Sequence, residues 1–423
     1  MDFGPVIRAQ PHSSAEQAGP LALVPTGIVV AVDATALGII LPLLPFYAQR
    51  LGATPFMIGA LMSVYAACQL VAGPIVGMLS DRYGRRNVLL LSQLGTFAGL
   101  VLLASAGSLA LVFAARIIDG LTSGNISVAH AYAAEHSPPS ARKQALGMTS
   151  GAIGTGLLIG PALSGFLVPF GQAAPIWAAA ALSLMSILST ALLLPPDQPE
   201  SDAPHMQRIA EWRPARTLLG MRHAWRLLGL LLVFFVANAM FLSQIGLFLS
   251  ERFTWDGHPF GARELGCIFA YAGFINILIQ GLLISRVSLF ASDRSIVIFA
   301  FACMCLGLLA LAFTAEVSVL AVCLTLIIGG SMFVRSTLTA ELSRSAALNR
   351  QGMVMGFNQS LMSVANIMAP LLSGALIGRG LDTIWAIVIA AITAFGAVMT
   401  ARLLSRHRTQ PRRMSRDLTL APQ

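Results

Sequence analysis

Long apolar runs alternate with short polar stretches along the whole chain. A helix needs roughly 20 apolar residues to cross a bilayer. Twelve segments meet that requirement: 22–46, 57–80, 88–107, 109–132, 145–169, 174–194, 226–249, 264–285, 296–315, 317–341, 353–378 and 383–404. The pattern predicts an all-α membrane protein. The longest polar stretch between runs, 195–225, opens with Pro195, Pro196, Asp197, Pro199, Glu200 and Asp202 and then carries Arg208, Arg213, Arg216 and Arg222. It is too short to build a core of its own. It reads as a cytoplasmic linker between two six-helix bundles, 22–194 and 226–404, flanked by an N-tail (1–21) and a basic C-tail (405–423).

The halves echo each other. GPALSGFL at 160–167 returns as APLLSGAL at 369–376, an offset of 209, and IIDG at 117–120 returns as IIGG at 327–330, an offset of 210. Two echoes at nearly one offset argue for duplication, the arrangement of transporters built from parallel repeats. The copies differ in charge. Asp119 maps onto Gly329, and GMLSDRYGRR at 77–86 maps onto the poorly matching SRVSLFASDR at 285–294. The charged machinery is therefore expected mainly in the first half.

Composition supports the membrane reading. Of 423 residues 56% are hydrophobic and 11% charged, against roughly 25% charged in soluble domains. The net charge of +9 does not imply a nucleic-acid partner, because the basic residues fall in loops. With both termini inside, cytoplasmic segments hold 21 Lys and Arg and outside loops hold 4, so both termini are expected to be cytoplasmic. Arg116 and Arg335 lie within spans. Residues 1–20 lack the pattern of a cleavable signal, so the first span is expected to direct insertion. The cysteines, Cys68, Cys267, Cys303, Cys305 and Cys323, sit in apolar runs without metal-ligand spacing, so small buried side chains and no metal are expected. A phosphate-binding loop of the G-x-x-x-x-G-K-(S/T) type is missing, which argues against ATP-driven transport.

A few polar residues sit where the bilayer makes them costly. Asp33 lies well inside the first span, ahead of Gly38, Pro42 and Pro45. A carboxylate at that depth either takes up a proton, finds a cation, or is held by a neighbouring helix. In the fourth span Arg116 and Asp119 are three apart and share a face, followed by Thr122, Ser123, Asn125 and Ser127. Arginine keeps its charge in a protein. The pair therefore acts either as an internal clamp or as part of a proton path. Between the second and third spans lies Gly77, Asp81, Arg82, Gly84, Arg85 and Arg86; the fifth span carries Gly147, Gly156, Gly160, Pro161, Ser164 and Gly165. Small residues in such a row let another helix approach, and the proline weakens the helix. Cavity candidates are Asn125, Asn238, Gln244, Asn276 and Arg335. Arg335 and Glu341 fall near the cytoplasmic end of the tenth span, where an ion pair is the expected arrangement.

These residues carry a resemblance. GMLSDRYGRR matches the loop between spans two and three of the major facilitator superfamily, G-x-L-(S/A)-D-R-x-G-R-R. Arg116 to Gly120 resembles the superfamily's fourth-span motif R-x-x-x-G, and the fifth span resembles the antiporter motif G-x8-G-x3-G-P-x2-G-G, with Ser164 in place of one glycine. Asp33 ahead of Pro42 and Pro45 is similar to the first span of twelve-span drug:proton antiporters, tetracycline exporters in particular. The resemblance implies a monomeric, non-enzymatic transporter of the cytoplasmic membrane, using a proton gradient and no cofactor. It would export small, largely apolar organic compounds by alternating access through a cavity lined by spans one, four, seven and ten. It implies proton-coupling roles for Asp33, Arg116 and Asp119, and a conformational latch in the 77–86 loop. Two alternatives stay open: an uptake symporter or facilitator for an anionic metabolite, with Arg116 and Arg335 binding the anion, and a lipid-handling or sensor relative.

Overall fold

The computed structural model describes residues 24–125, 128, 129, 131, 132, 142–194, 222–255, 257–345 and 351–404. The N-tail, the C-tail and most of the linker lie outside the described residues. The first half holds α1 (Val24–Arg50), α2 (Pro55–Tyr83), α3 (Arg85–Ala104), α4 (Leu109–Thr122), α5 (Arg142–Leu167) and α6 (Ala174–Leu193). The second holds α7 (Arg222–Arg252), α8 (Ala262–Leu278), α9 (Asp293–Phe313), α10 (Val317–Ser345), α11 (Gln351–Ile377) and α12 (Asp382–Leu403). A two-residue hairpin pairs Thr254–Trp255 with His258–Pro259 between α7 and α8.

Several helix starts are written locally. The Thr54 hydroxyl accepts the Met57 N–H at 3.3 Å, with Pro55 in the first turn. Ser292 caps α9 by accepting the Ser295 N–H at 3.3 Å. Gly84, at φ 89°, makes the one-residue break between α2 and α3 that a side chain would oppose.

Ten of these helices are long and apolar enough to cross a membrane. The other two spans are interrupted. The fourth was expected to run unbroken over 109–132, but α4 ends at Thr122, and Ser123 turns extended at ψ 126°. The hydroxyls of Thr122 and Ser123 bond back to the carbonyls of Ile118 and Gly120, each at 2.8 Å. Such local bonds compete with helix propagation. The eighth span runs past its expected end: α8 continues through a π-helical turn, Ile279–Leu283, into Ile284–Phe290.

The apolar pattern is that of a protein in lipid. Leu192, Leu289, Phe290 and Phe313 stand exposed on the outer faces. Inside, Trp385 is fully buried between Phe241 and Phe248, with ring centroids at 6.4 and 5.1 Å. Its indole N–H donates to the Ser373 hydroxyl at 3.0 Å. The phenylalanines of α7, namely Phe234, Phe235, Phe241 and Phe248, are all core residues. Cys323 is buried as expected, whereas Cys267 is exposed.

The duplication is visible in the packing. A Cβ built on Gly374 of α11 would meet the Pro55 carbonyl at 2.5 Å, and one on Gly165 of α5 would meet the Arg263 carbonyl at 3.0 Å. A Cβ on Gly59 would collide with the Pro370 carbonyl, and one on Gly266 with that of Pro161 at 2.8 Å. Each half thus lays its fifth helix on the other half's second helix, and the repeated octapeptides are the contact. Even the poorly matching loops keep one equivalent bond. Arg86 donates to the Ala191 carbonyl and Arg294 to that of Ala401, both at 2.6 Å.

These contacts between halves gather at one end, beside the 51–54 turn. There Ser63 donates to the Ile367 carbonyl at 2.6 Å, and the Gln244 amide to that of Pro55 at 3.0 Å. At the other end, side chains built on Gly77, Gly147, Gly151 or Gly356 would meet nothing within 4 Å. Among the described residues, then, one end is closed by backbone contacts between the halves, and the glycines of the other, parted end border open space.

Candidate functional site

The first half carries two adjoining polar clusters. Asp33, on α1, is half-buried. The side chains of Ser186 on α6, Gln93 on α3 and Asn125 beyond α4 lie within interaction range of its carboxyl. Gln93 and Ser186 are fully buried, and the Gln93 Nε2 donates to the Ser186 Oγ at 2.8 Å. Among the described residues no basic side chain pairs with Asp33; its surroundings are neutral hydroxyl and amide groups.

The second cluster is built around Arg116 and Asp119. Their side chains meet at 2.9 Å, and both residues are buried. The guanidinium also lies 4.1 Å from the centre of the Tyr65 ring, a cation–π contact from α2. Thr96 of α3 faces the Asp119 carboxyl. Within the fourth span Arg116 thus pairs with Asp119 rather than with Asp33. Gly99 makes room: a Cβ there would sit 3.2 Å from that of Asp119.

The glycines of α5 divide between two neighbours. Side chains on Gly156 and Gly160 would strike α1, at the Ala31 carbonyl (2.7 Å) and the Thr35 carbonyl (2.5 Å). Gly165 instead faces α8 across the junction of the halves, as described above. Gly147 borders open space at the parted end. Ser164 is fully buried, and its hydroxyl has no partner among the described residues. In the 77–86 loop, Asp81 pairs with Arg85 at 3.1 Å, and Arg82 lies 5.3 Å from the Tyr83 ring centre. Together with the Arg86 bond to Ala191, these contacts stay within the first half.

The second half departs from expectation at two places. Glu341 pairs with His223 at 3.2 Å, not with Arg335. Residues six apart on a helix point to different faces, so the expected pair could not form. Arg335 has no acidic partner among the described residues and is open to solvent although protein surrounds it. Gln244 is fully buried and holds Pro55 at the closed end, which removes it from the cavity. Asn238 on α7 and Asn276 on α8 are partly open. Sequence reasoning passed over Gln93 and Ser186. A lone glutamine in the apolar third span was a usable signal, but Ser186 looks like any small residue of a helix seam.

The comparisons with known proteins bear on the family and the fold. A sequence profile described as Major Facilitator Superfamily matches residues 26–370. The chain belongs to this superfamily. It is a multi-pass membrane transporter. It is 29% identical over 356 residues to the tetracycline resistance protein, class H, of Pasteurella multocida, covering 82% of this chain and 86% of that protein. It is 30% identical over 355 residues to the class G protein of Vibrio anguillarum, covering 81% and 87%. Multidrug resistance protein 2 of Bacillus subtilis (strain 168) is 25% identical over 345 residues, covering 80% and 84%. Among solved structures, the nucleoside transporter NupG superposes with a TM-score of 0.76 at 12% identity, covering 91% of this chain and 100% of that one. A human organic anion transporter superposes at 0.65 with 19% identity, covering 92% and 100%. At such identities the superpositions speak for the fold alone.

Proposed function

We propose that this protein exports small, largely apolar organic compounds in exchange for protons, and that Asp33 carries the proton. The observation behind this reading is the setting of Asp33. It is an acid at membrane depth, without a basic partner among the described residues, half-buried and lined by neutral donors. A carboxylate paired to an arginine is locked in its charged form; one among hydroxyls and amides can exist in either form. The similarity to tetracycline and multidrug resistance proteins supports an organic drug as cargo.

The parted end is the cytoplasmic one in this reading, because the arginines of the 77–86 loop belong on the inside. The conformation is then inward-facing, and substrate enters from the cytoplasm. A proton taken up by Asp33 in the outward-facing state accompanies substrate release, and its loss to the cytoplasm resets the site. The 77–86 loop serves as the latch that fastens the cytoplasmic ends of the spans in the outward-facing state and releases them on reversal. The protein works as a monomer, without a cofactor.

The deciding experiment uses purified protein in proteoliposomes with a panel of dyes and antibiotics. Substrate should drive proton movement with the wild-type protein, and Asp33→Asn should abolish uphill export while retaining substrate binding. Uphill export by Asp33→Asn at the wild-type rate would remove Asp33 from the mechanism. Arg335 favours a second reading, transport of an anion: an unpaired guanidinium facing water attracts one. Transport into rather than out of cells, lost in Arg335→Gln, would select that reading.

A further inference from the structure

The cluster around Asp33 leaves two buried oxygen acceptors without a donor among the described residues. The Gln93 Oε1 and the Asn125 Oδ1 are both buried and have no hydrogen-bond partner among the described residues. Both residues are at least nine-tenths buried. An orphaned buried acceptor costs roughly 1–3 kcal/mol, and two of them beside one carboxyl need an account. The carboxyl supplies it. An ionised carboxylate only accepts hydrogen bonds, whereas a protonated one also donates. A side-chain amide offers N–H or C=O at the same place by a half-turn about its last bond.

We propose that Gln93 and Asn125 are positioning residues of the proton site: both amides donate to the Asp33 carboxylate, and once it is protonated Gln93 turns to accept from its single O–H while Asn125 goes on donating to the other oxygen. Ser186 is the pivot. Its hydroxyl accepts the Gln93 N–H at 2.8 Å, and it can rotate to donate when the amide presents oxygen instead. A proton taken from water onto one Asp33 oxygen is thereby registered by side chains of α3, α6 and the segment after α4. The charged group whose field reaches Asp33 is Asp119, which Arg116 already neutralises at 2.9 Å. The switch is therefore a rearrangement of neutral dipoles around one titrating group. Glutamine suits it because it is both donor and acceptor, and methionine of similar length is neither.

This inference rests on the proton-carrying role of Asp33, and its test separates the two. Infrared difference spectra of the full-length protein in lipid, recorded across pH, should show a protonated carboxyl band that Asp33→Asn removes. In Gln93→Met that band should move to higher frequency, because the acid has lost an acceptor, and uphill export should fall about tenfold, the factor of one charge-assisted hydrogen bond. Ser186→Ala, a smaller change, should broaden the band as the amide loses its pivot. A band in Gln93→Met at the wild-type frequency would overturn the inference while leaving Asp33 as the proton carrier. If Gln93→Met fails to reach the membrane, an unchanged band in Ser186→Ala overturns it instead. A missing carboxyl band in the wild type would overturn both.

Discussion

Ser164 and Ser373 occupy equivalent places in the two halves, yet they live differently. Ser373 accepts the Trp385 indole N–H at 3.0 Å and donates to the Met240 carbonyl at 3.2 Å. At the matching place in the first half, one offset of 209 earlier, stands Ile176, which has nothing to donate. The buried Ser164 hydroxyl is left without a partner among the described residues. Its loss should be harmless or favourable. Ser164→Ala should raise stability by about 1 kcal/mol, read as a higher thermal unfolding temperature in detergent, with export unchanged. A clear loss of stability would mean that a partner exists. At this scale the sequence was partly legible. Asp33, Arg116 and Asp119 declared themselves, because a charge in an apolar run is costly wherever it points. Gln93 and Ser186 did not, because a neutral polar residue gains its meaning only from what faces it across helices. Arg335 and Glu341 misled, since nearness along the chain is not nearness around a helix.

Among the elements, α5 shows how much a glycine row can fix. Gly156 and Gly160 lie one turn apart and press against α1 near Asp33, while Gly165 turns to α8. The helix that carries Asp33 is thus held, backbone to backbone, by the helix that also touches the other half. Gly160→Leu should stop export, since even its Cβ would lie 2.5 Å from the Thr35 carbonyl and 2.7 Å from the Gly38 Cα. Relieving such an overlap typically costs 1–3 kcal/mol or more, and α1 would move with Asp33 on it. Export rate at matched membrane expression checks this, and full activity would show that the α1–α5 contact is dispensable. Gly147→Leu, whose Cβ meets nothing within 4 Å in this conformation, should express normally. The elements themselves were largely readable, since apolar length alone marks them. The exceptions were the break after Thr122 and the π-turn in α8. Both depend on local hydrogen bonding that hydropathy does not register.

For the whole molecule, the repeated octapeptides turn a sequence echo into a hinge argument. At the closed end Gly59, Gly165, Gly266 and Gly374 let backbones of opposite halves touch, and Ser63 and Gln244 tie them with hydrogen bonds. At the parted end Gly77 faces open space. In alternating access the two ends exchange roles, so a bulky residue at either end should favour the conformation that parts that end. Gly374→Leu cannot be accommodated beside the Pro55 carbonyl and should populate the outward-facing state. A Cβ at Gly77 meets nothing within 4 Å in the present state, so Gly77→Leu should trap that state by obstructing the approach of helices at that end. Both variants should transport slowly, for opposite reasons. The distinguishing measurement is the labelling of a cysteine placed at Asn238, in a background without the native cysteines, by a membrane-impermeant thiol reagent. With the reagent on the side of the 51–54 turn, Gly374→Leu should label about tenfold faster than the parent and Gly77→Leu more slowly. A tenfold ratio corresponds to a shift of about 1.4 kcal/mol between the two states, well within what the loss of one backbone contact and its hydrogen bonds supplies. Equal labelling of the two variants from that side would mean that these glycines serve packing alone.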